Sequence, residues 1–116
     1  MSANYTQEQV NEIVREAQEA ARKAALDFFQ TRLGGRDQYA CGFAWVDVYV
    51  DRTNSKQAKE LLAAGFRKDY KPKCLSMWNP GGLGVQNVDT KEAGADAMAQ
   101  YLRALGLNAY SGSRLD

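Results

Sequence analysis

The chain contains no histidine. That absence removes the usual general base near neutral pH, the Ser-His and Cys-His nucleophile pairs and the commonest metal ligand together. Catalysis would have to rest on carboxylates, lysine or tyrosine, and no two carboxylates stand in a recognisable catalytic motif. A binding protein is therefore favoured over an enzyme, with no catalytic residue, no metal and no cofactor expected. Cysteine is scarce: Cys41 and Cys74 lie far apart and form no C-x-x-C or metal spacing, which predicts two reduced, buried, small hydrophobes in a cytosolic protein. Charge of one sign is lacking too. Fifteen Lys and Arg stand against fourteen Asp and Glu, so the field of a general nucleic-acid binder is missing and any anion site must be local. No apolar run is long enough to cross a bilayer, and the polar residues 2–11 lack a signal peptide's hydrophobic region. The expected location is a cytoplasm.

What is present is enough for one small folding unit of 116 residues, with a modest core. Thr6-Gln7-Glu8-Gln9 reads as a capping box that opens a helix. Val10, Ile13, Val14, Ala17, Ala21, Ala24, Ala25 and Phe28 recur at helical spacing until Gly34-Gly35 stops the pattern. At about 1.5 Å per residue such a helix is roughly 40 Å long, longer than the body expected from the rest of the chain. Part of it is expected to project and to bury its alanine stripe against another copy.

Residues 43–50 alternate. Ala44, Val46, Val48 and Val50 face one way and form core, while Phe43, Trp45, Asp47 and Tyr49 face the other. That second set is covered by the long helix or a partner, or left open for a flat ligand, and cover by protein is the commoner outcome. Asn54 or Ser55 caps a second helix with Ala58, Leu61 and Leu62, closed by Gly65. A possible extra strand at residues 66–70 precedes a strand over 73–79, with Leu75 and Met77 on one side and Cys74, Ser76 and Trp78 on the other. Asn79-Pro80-Gly81-Gly82-Leu83-Gly84 is a loop by its turn residues, and it matches neither G-x-G-x-x-G nor the P-loop. A plain turn or a lid over residues 81–88 is expected there. Asp89-Thr90-Lys91-Glu92 reads as a second capping box, opening a third helix that Gly106 stops. A short strand over 107–110 follows, and then Ser111-Gly112-Ser113-Arg114-Leu115-Asp116, which is either a solvated tail or a cluster equipped to recognise a polar ligand.

The element order predicts an α+β fold: a long N-terminal oligomerisation helix over residues 1–35, then a ligand-binding unit over 36–116. The latter is expected to be a ferredoxin-like split βαβ antiparallel sheet with two helices on one face. Free strand edges invite pairing between subunits, so a dimer or larger symmetric assembly is expected.

The runs Gly42-Phe43-Ala44-Trp45-Val46, Arg67-Lys68-Asp69-Tyr70, Met77-Trp78 and Ala109-Tyr110-Ser111-Gly112-Ser113-Arg114-Leu115-Asp116 resemble a group of small phage-encoded proteins over about residues 40–116. That group is identified as, or close to, the Thoeris anti-defence sponge family. The resemblance implies a non-catalytic oligomer that sequesters a cyclic ADP-ribose signal inside an infected bacterium. It also implies that a separate site made by subunit assembly can hold cyclic oligonucleotides.

Residue chemistry is compatible with a nucleotide-derived ligand, which offers a base to stack and a pyrophosphate to neutralise. Arg114 and Arg67 are the choices for phosphate, and Trp78, Phe43 or Tyr70 for stacking. Asn79 and Ser113 can hydrogen-bond the base, and Asp69 or Asp116 can accept from ribose hydroxyls. Each has a plainer reading as core, interface or surface pair. Arg22 and Lys23 on the long helix are a solvated face unless several copies converge there and concentrate the charge as a second site. The alternative of a different class is a phage inhibitor that docks a host defence protein through the aromatic face, in the manner of an anti-CRISPR blocker. A nucleic-acid accessory is disfavoured by the near-neutral charge.

Overall fold

The computed structural model describes residues 5–116; residues 1–4, where the expected oligomerisation segment begins, lie outside them. The chain is α+β, with a long N-terminal helix and a four-stranded antiparallel sheet. Helix α1 (Gln7–Thr31) is followed by β1 (Gly42–Tyr49), α2 (Lys56–Ala63), β2 (Arg67–Lys68), β3 (Cys74–Trp78), α3 (Val88–Ala104) and β4 (Asn108–Leu115). The strands lie in the order β2-β3-β1-β4, every neighbouring pair antiparallel.

The capping box at α1 forms as the sequence predicts. The Thr6 hydroxyl accepts from the Gln9 amide at 3.1 Å, and the Gln9 side chain accepts from the Thr6 amide at 2.9 Å. Ser55, rather than Asn54, caps α2. Helix α3 starts earlier than the expected Asp89 box. Its cap is Asn87, whose Oδ1 accepts from the Thr90 amide at 2.8 Å. The reason lies 50 residues upstream: the Asp37 carboxylate accepts from the Asn87 backbone amide, the Asn87 side-chain amide and the Gln86 amide. A long-range anchor thus decides between two local capping patterns.

The expected projecting helix is overturned. Twenty-five residues span about 37 Å at 1.5 Å each, as expected, but the helix lies along the body. Ala17, Ala21 and Ala25 are fully or almost fully buried within the single chain, because α1 packs along α3. The small side chains permit a close approach of backbones. A Cβ added at Gly94 would lie 3.2 Å from the Ala21 carbonyl oxygen, and one at Gly81 would lie 3.0 Å from the Ala25 Cβ. The buried part of the stripe, Ala17, Ala21 and Ala25, is the seat of the chain's own α3 and loop, while Ala24 and Phe28 beside it are partly buried. Val10, Val14, Ala17 and Ala21 share one apolar cluster with Val46, Leu61, Leu75, Met98 and Leu102.

The glycine loop is pinned at its start, where Pro80 and Gly81 are buried and Gly81 seats against α1, while residues 82–86 are exposed or partly so. Two further expectations change. Cys41 is exposed, and only Cys74 is buried. The segment after residue 110 is no tail: β4 runs to Leu115, pairing with β1 residue by residue from Tyr49↔Asn108 to Gly42↔Leu115. Gly42 makes room for that pairing, since a Cβ there would fall 2.5 Å from the Arg114 carbonyl oxygen. Among the described residues no helix is long and apolar enough to cross a membrane.

Candidate functional site

Side chains of directly opposed residues in an antiparallel sheet share a face, so the register determines which residues meet. Ala44, Val46, Val48, Leu75, Met77 and Ala109 point to the helices and are buried. The other face carries Phe43, Trp45, Asp47 and Tyr49 from β1, Cys74, Ser76 and Trp78 from β3, Tyr110, Gly112 and Arg114 from β4, and Arg67 from β2. The long helix, one of its two expected covers, lies on the opposite side against α3. The aromatic face is left open, with Trp78 48% and Tyr110 50% exposed.

Three aromatic rings form one platform. The Trp45 and Trp78 rings stack at 4.7 Å with a 26° interplanar angle, and Phe43 meets Trp78 edge-on at 5.9 Å. Trp45 can lie flat toward β4 because residue 112 has no side chain; a Cβ there would fall 2.7 Å from the indole ring. Cations border the platform. The Arg114 guanidinium sits 5.3 Å from the Phe43 centroid and 5.8 Å from that of Trp78. Lys91, whose ammonium donates to the Gly42 carbonyl at 2.8 Å, is 5.3 Å from Phe43. Arginine and lysine held against aromatic faces keep their donors available to an anion while their apolar stems stay packed.

Beside the platform lies a tight polar cluster. The Lys71 ammonium donates to Asp47 Oδ2 at 2.6 Å and lies 3.7 Å from Asp69 Oδ2. Trp45 Nε1 donates to the same Asp47 oxygen at 3.2 Å, and Ser76 Oγ donates to Asp69 at 3.4 Å. The bond to Asp47 holds the Lys71 pKa above the ordinary lysine range against the opposing effect of burial. Burial first, and the neighbouring Asp47 second, push the Cys74 thiol up to about 12, so this thiol stays protonated and inert. Ligand atoms of Asp47, Asp69 and Cys74 come within 4.8 Å of one another, a spacing that suits a cation, and the cation the cluster accommodates is Lys71's own ammonium.

The residues singled out from sequence separate into groups. Phe43, Trp78 and Arg114 are brought together. Arg67 shares the face but stands on the opposite edge strand from Arg114, about 14 Å across three strand spacings, so the two do not serve one pyrophosphate. Asp69 is committed to Lys71 and Ser76. Tyr70, 93% exposed, has its ring 5.8 Å from the Lys71 ammonium. Asn79 adopts a left-handed backbone conformation and donates its side-chain amide to the Leu83 carbonyl, shaping the loop. Ser113 points to the helix side, where it donates to Glu92. Asp116 donates its amide to the Cys41 carbonyl past the end of β4. Arg22 and Lys23 lie on α1 away from the aromatic face, with the Arg22 guanidinium close to Gly82.

Sequence reasoning passed over Lys71, Lys91 and Gly112. Strand alternation alone places Trp45 beside Phe43, but Gly112 becomes meaningful only once it is known to face Trp45. No protein-family model, curated protein or solved structure matches this chain.

Proposed function

We propose that this protein is a non-catalytic binder that holds a nucleotide-derived ligand on its open sheet face. The base stacks on the half-exposed Trp78 ring with Phe43 at its edge, and the phosphate is neutralised by Arg114 and Lys91. The observation that carries the reading is the Phe43–Trp45–Trp78 cluster with two cations seated at its rim. Stacking on an exposed aromatic platform is sequence-tolerant and contributes about 1–3 kcal/mol per base. A nearby guanidinium adds a charge-assisted contact of the same order. No acid-base pair or free nucleophile belongs to this face in the reading: its carboxylates are committed to Lys71, and its thiol stays protonated.

The strand order, with each βαβ crossover split by an intervening strand, supports a ferredoxin-like assignment of the sheet. The resemblance noted in the sequence gives the reading its specific form: sequestration of a cyclic ADP-ribose-type immune signal by a phage counter-defence protein in the bacterial cytoplasm. Self-assembly in that form would use the free edge of β2 or β4, since the alanine stripe is occupied. The competing reading, a blocker that docks a host protein, draws on the half-exposed Trp78 and Tyr110.

Titration of the purified protein with AMP and with a cyclic ADP-ribose isomer, followed by tryptophan fluorescence and calorimetry, tests the proposal. Saturable quenching that falls at least about tenfold in affinity in Trp78→Ala, with the ligand recovered chemically intact, is the expected result. No binding of any nucleotide would overturn it and favour the protein-docking reading.

A further inference from the structure

We infer that the same face carries a second base subsite, at Tyr110 and Arg103, and that its full occupant is a linear single-stranded oligonucleotide segment with two bases splayed apart. This inference rests on the nucleotide-binding reading of the open face and names a two-base linear strand as the occupant in place of the single-base cyclic ADP-ribose form.

Tyr110 is opposite Asp47 and therefore on the aromatic face. Its half-exposed ring packs against Tyr49 at 6.2 Å and 60°, and the Arg103 guanidinium lies 5.7 Å from its centroid. Arg103 reaches there from α3 and is fixed by donating to the Ala109 carbonyl at 2.8 Å. Next to this pair is a cleft of about 380 Å³ lined by Arg103, Gly106, Leu107, Asn108 and Tyr110, within the size range of small-ligand sites. Its lining joins an aromatic ring, a guanidinium and a side-chain amide, which together can stack a base, pair with phosphate and hydrogen-bond a base edge.

Tyr110 and Arg114 are four residues apart on β4, about 13 Å along an extended strand. Neighbouring units of a nucleic-acid strand in its helical form rise only about 3.4 Å. One base therefore cannot serve both places, and two stacked bases cannot either. Two splayed bases of an unpaired strand can, since single strands yield their bases individually to aromatic side chains. The phosphate path follows the charges. Arg114 and Arg103 stand at the two aromatic ends of β4, whereas Lys71, toward β3 and β2, is already matched by Asp47 and Asp69. Between the ends, the Trp45 indole lies flat across the bare Gly112 backbone, and Asp47, opposite Tyr110, is paired with Lys71.

Affinities of AMP, linear diadenylate, linear hexa-adenylate and a self-complementary duplex, measured on wild type, Tyr110→Leu and Arg103→Gln, test the inference. Tyr110→Leu keeps apolar packing against Tyr49, and circular dichroism checks the fold of both variants. The expected result is diadenylate at least tenfold tighter than AMP, duplex weaker than either single strand, and loss of that tenfold in both variants with AMP unchanged. Hexa-adenylate much tighter than diadenylate identifies a longer strand as the occupant; equal affinity identifies a free dinucleotide. Diadenylate no tighter than AMP, or variants that weaken both alike, overturns the second subsite. In that case AMP binding that is lost in Trp78→Ala leaves the first reading standing, while failure of every nucleotide removes both.

Discussion

The indole of Trp45 lies on the backbone of Gly112, so close that a Cβ on residue 112 would fall 2.7 Å from its Nε1 and Cε2 atoms. The contact spans two neighbouring strands and sets the plane of the Trp45–Trp78 stack, on which the proposed binding depends. The atoms that a new methyl would meet belong to a rigid ring rather than to the end of a flexible chain.

Gly112→Ala is therefore expected to tilt Trp45 off β4 and open its stack with Trp78. The cost of overpacking is about 1–3 kcal/mol, read as a lower denaturant midpoint with an unchanged slope. Near-ultraviolet circular dichroism should change in parallel. An unaltered spectrum and midpoint would mean that the indole does not rest on this glycine.

The α1–α3 seat makes the opposite prediction from a self-association stripe. Ala21 is fully buried, with its carbonyl against Gly94. Ala21→Leu should lower stability by about 1–3 kcal/mol through overpacking, and Ala21→Arg should cost more because a charge is buried without a partner. Light scattering with thermal unfolding distinguishes the cases: loss of a dimer without loss of thermal stability would return the stripe to an intermolecular role.

The two cysteines should differ in reactivity. Cys41 is exposed and Cys74 buried, its thiol pushed up to about 12 by burial. A thiol reagent at pH 8 should modify one group quickly and the second only on unfolding. Two equally fast groups would contradict the burial of β3.

The same thiol determines the sign of an alkaline effect. An unfolded cysteine ionises near pH 8.5, whereas folded Cys74 holds its proton to about 12. The folded state thus binds more protons between those values, and stability falls as pH rises through that window. Lys71, whose pKa is also raised, by its bond to Asp47, adds stability that is present below the ordinary lysine range and is lost above it. Cys74→Ala should flatten the alkaline limb of a stability-pH curve; an unchanged slope would argue against the assignment.

At acid pH the Asp37 anchor weakens. Hydrogen bonds from Asn87 and then Gln86 hold its carboxyl below the ordinary range. Its contribution is present above about pH 3.9, the unfolded value, and disappears as pH falls through the lower folded value. Asn87→Ala removes the cap of α3 and should cost about 0.5–2 kcal/mol. The helical signal lost should be confined to the first turns of α3, as amide exchange would register.

Much of the architecture was legible because it is local. Thr6 and Gln9 lie three residues apart and form their box as read, and the alternation of residues 43–50 sorted Phe43, Trp45, Asp47 and Tyr49 onto one face before any register was known. The start of α3 was misread because Asn87 draws its authority from Asp37, 50 residues away. Arg67 and Arg114 were paired as phosphate ligands because both neighbour aromatics in sequence, and only the strand order places them on opposite edges.

By itself the sequence determined the period of each element, the apolar face of each strand, the glycine stops and the lack of imidazole chemistry, since all of these depend on residues within a turn or two of one another. Tertiary structure alone decided what each face meets. An alanine stripe is equally suited to a second copy or to the chain's own α3, and the small residues at Gly81 and Gly94 tip it inward. Polar residues 111–115 are equally suited to solvent or to a strand, and the unpaired edge of β1 draws them into the sheet. The physical reason is that burial and hydrogen-bond pairing are properties of two segments at once, and the second segment is chosen only when the chain closes on itself.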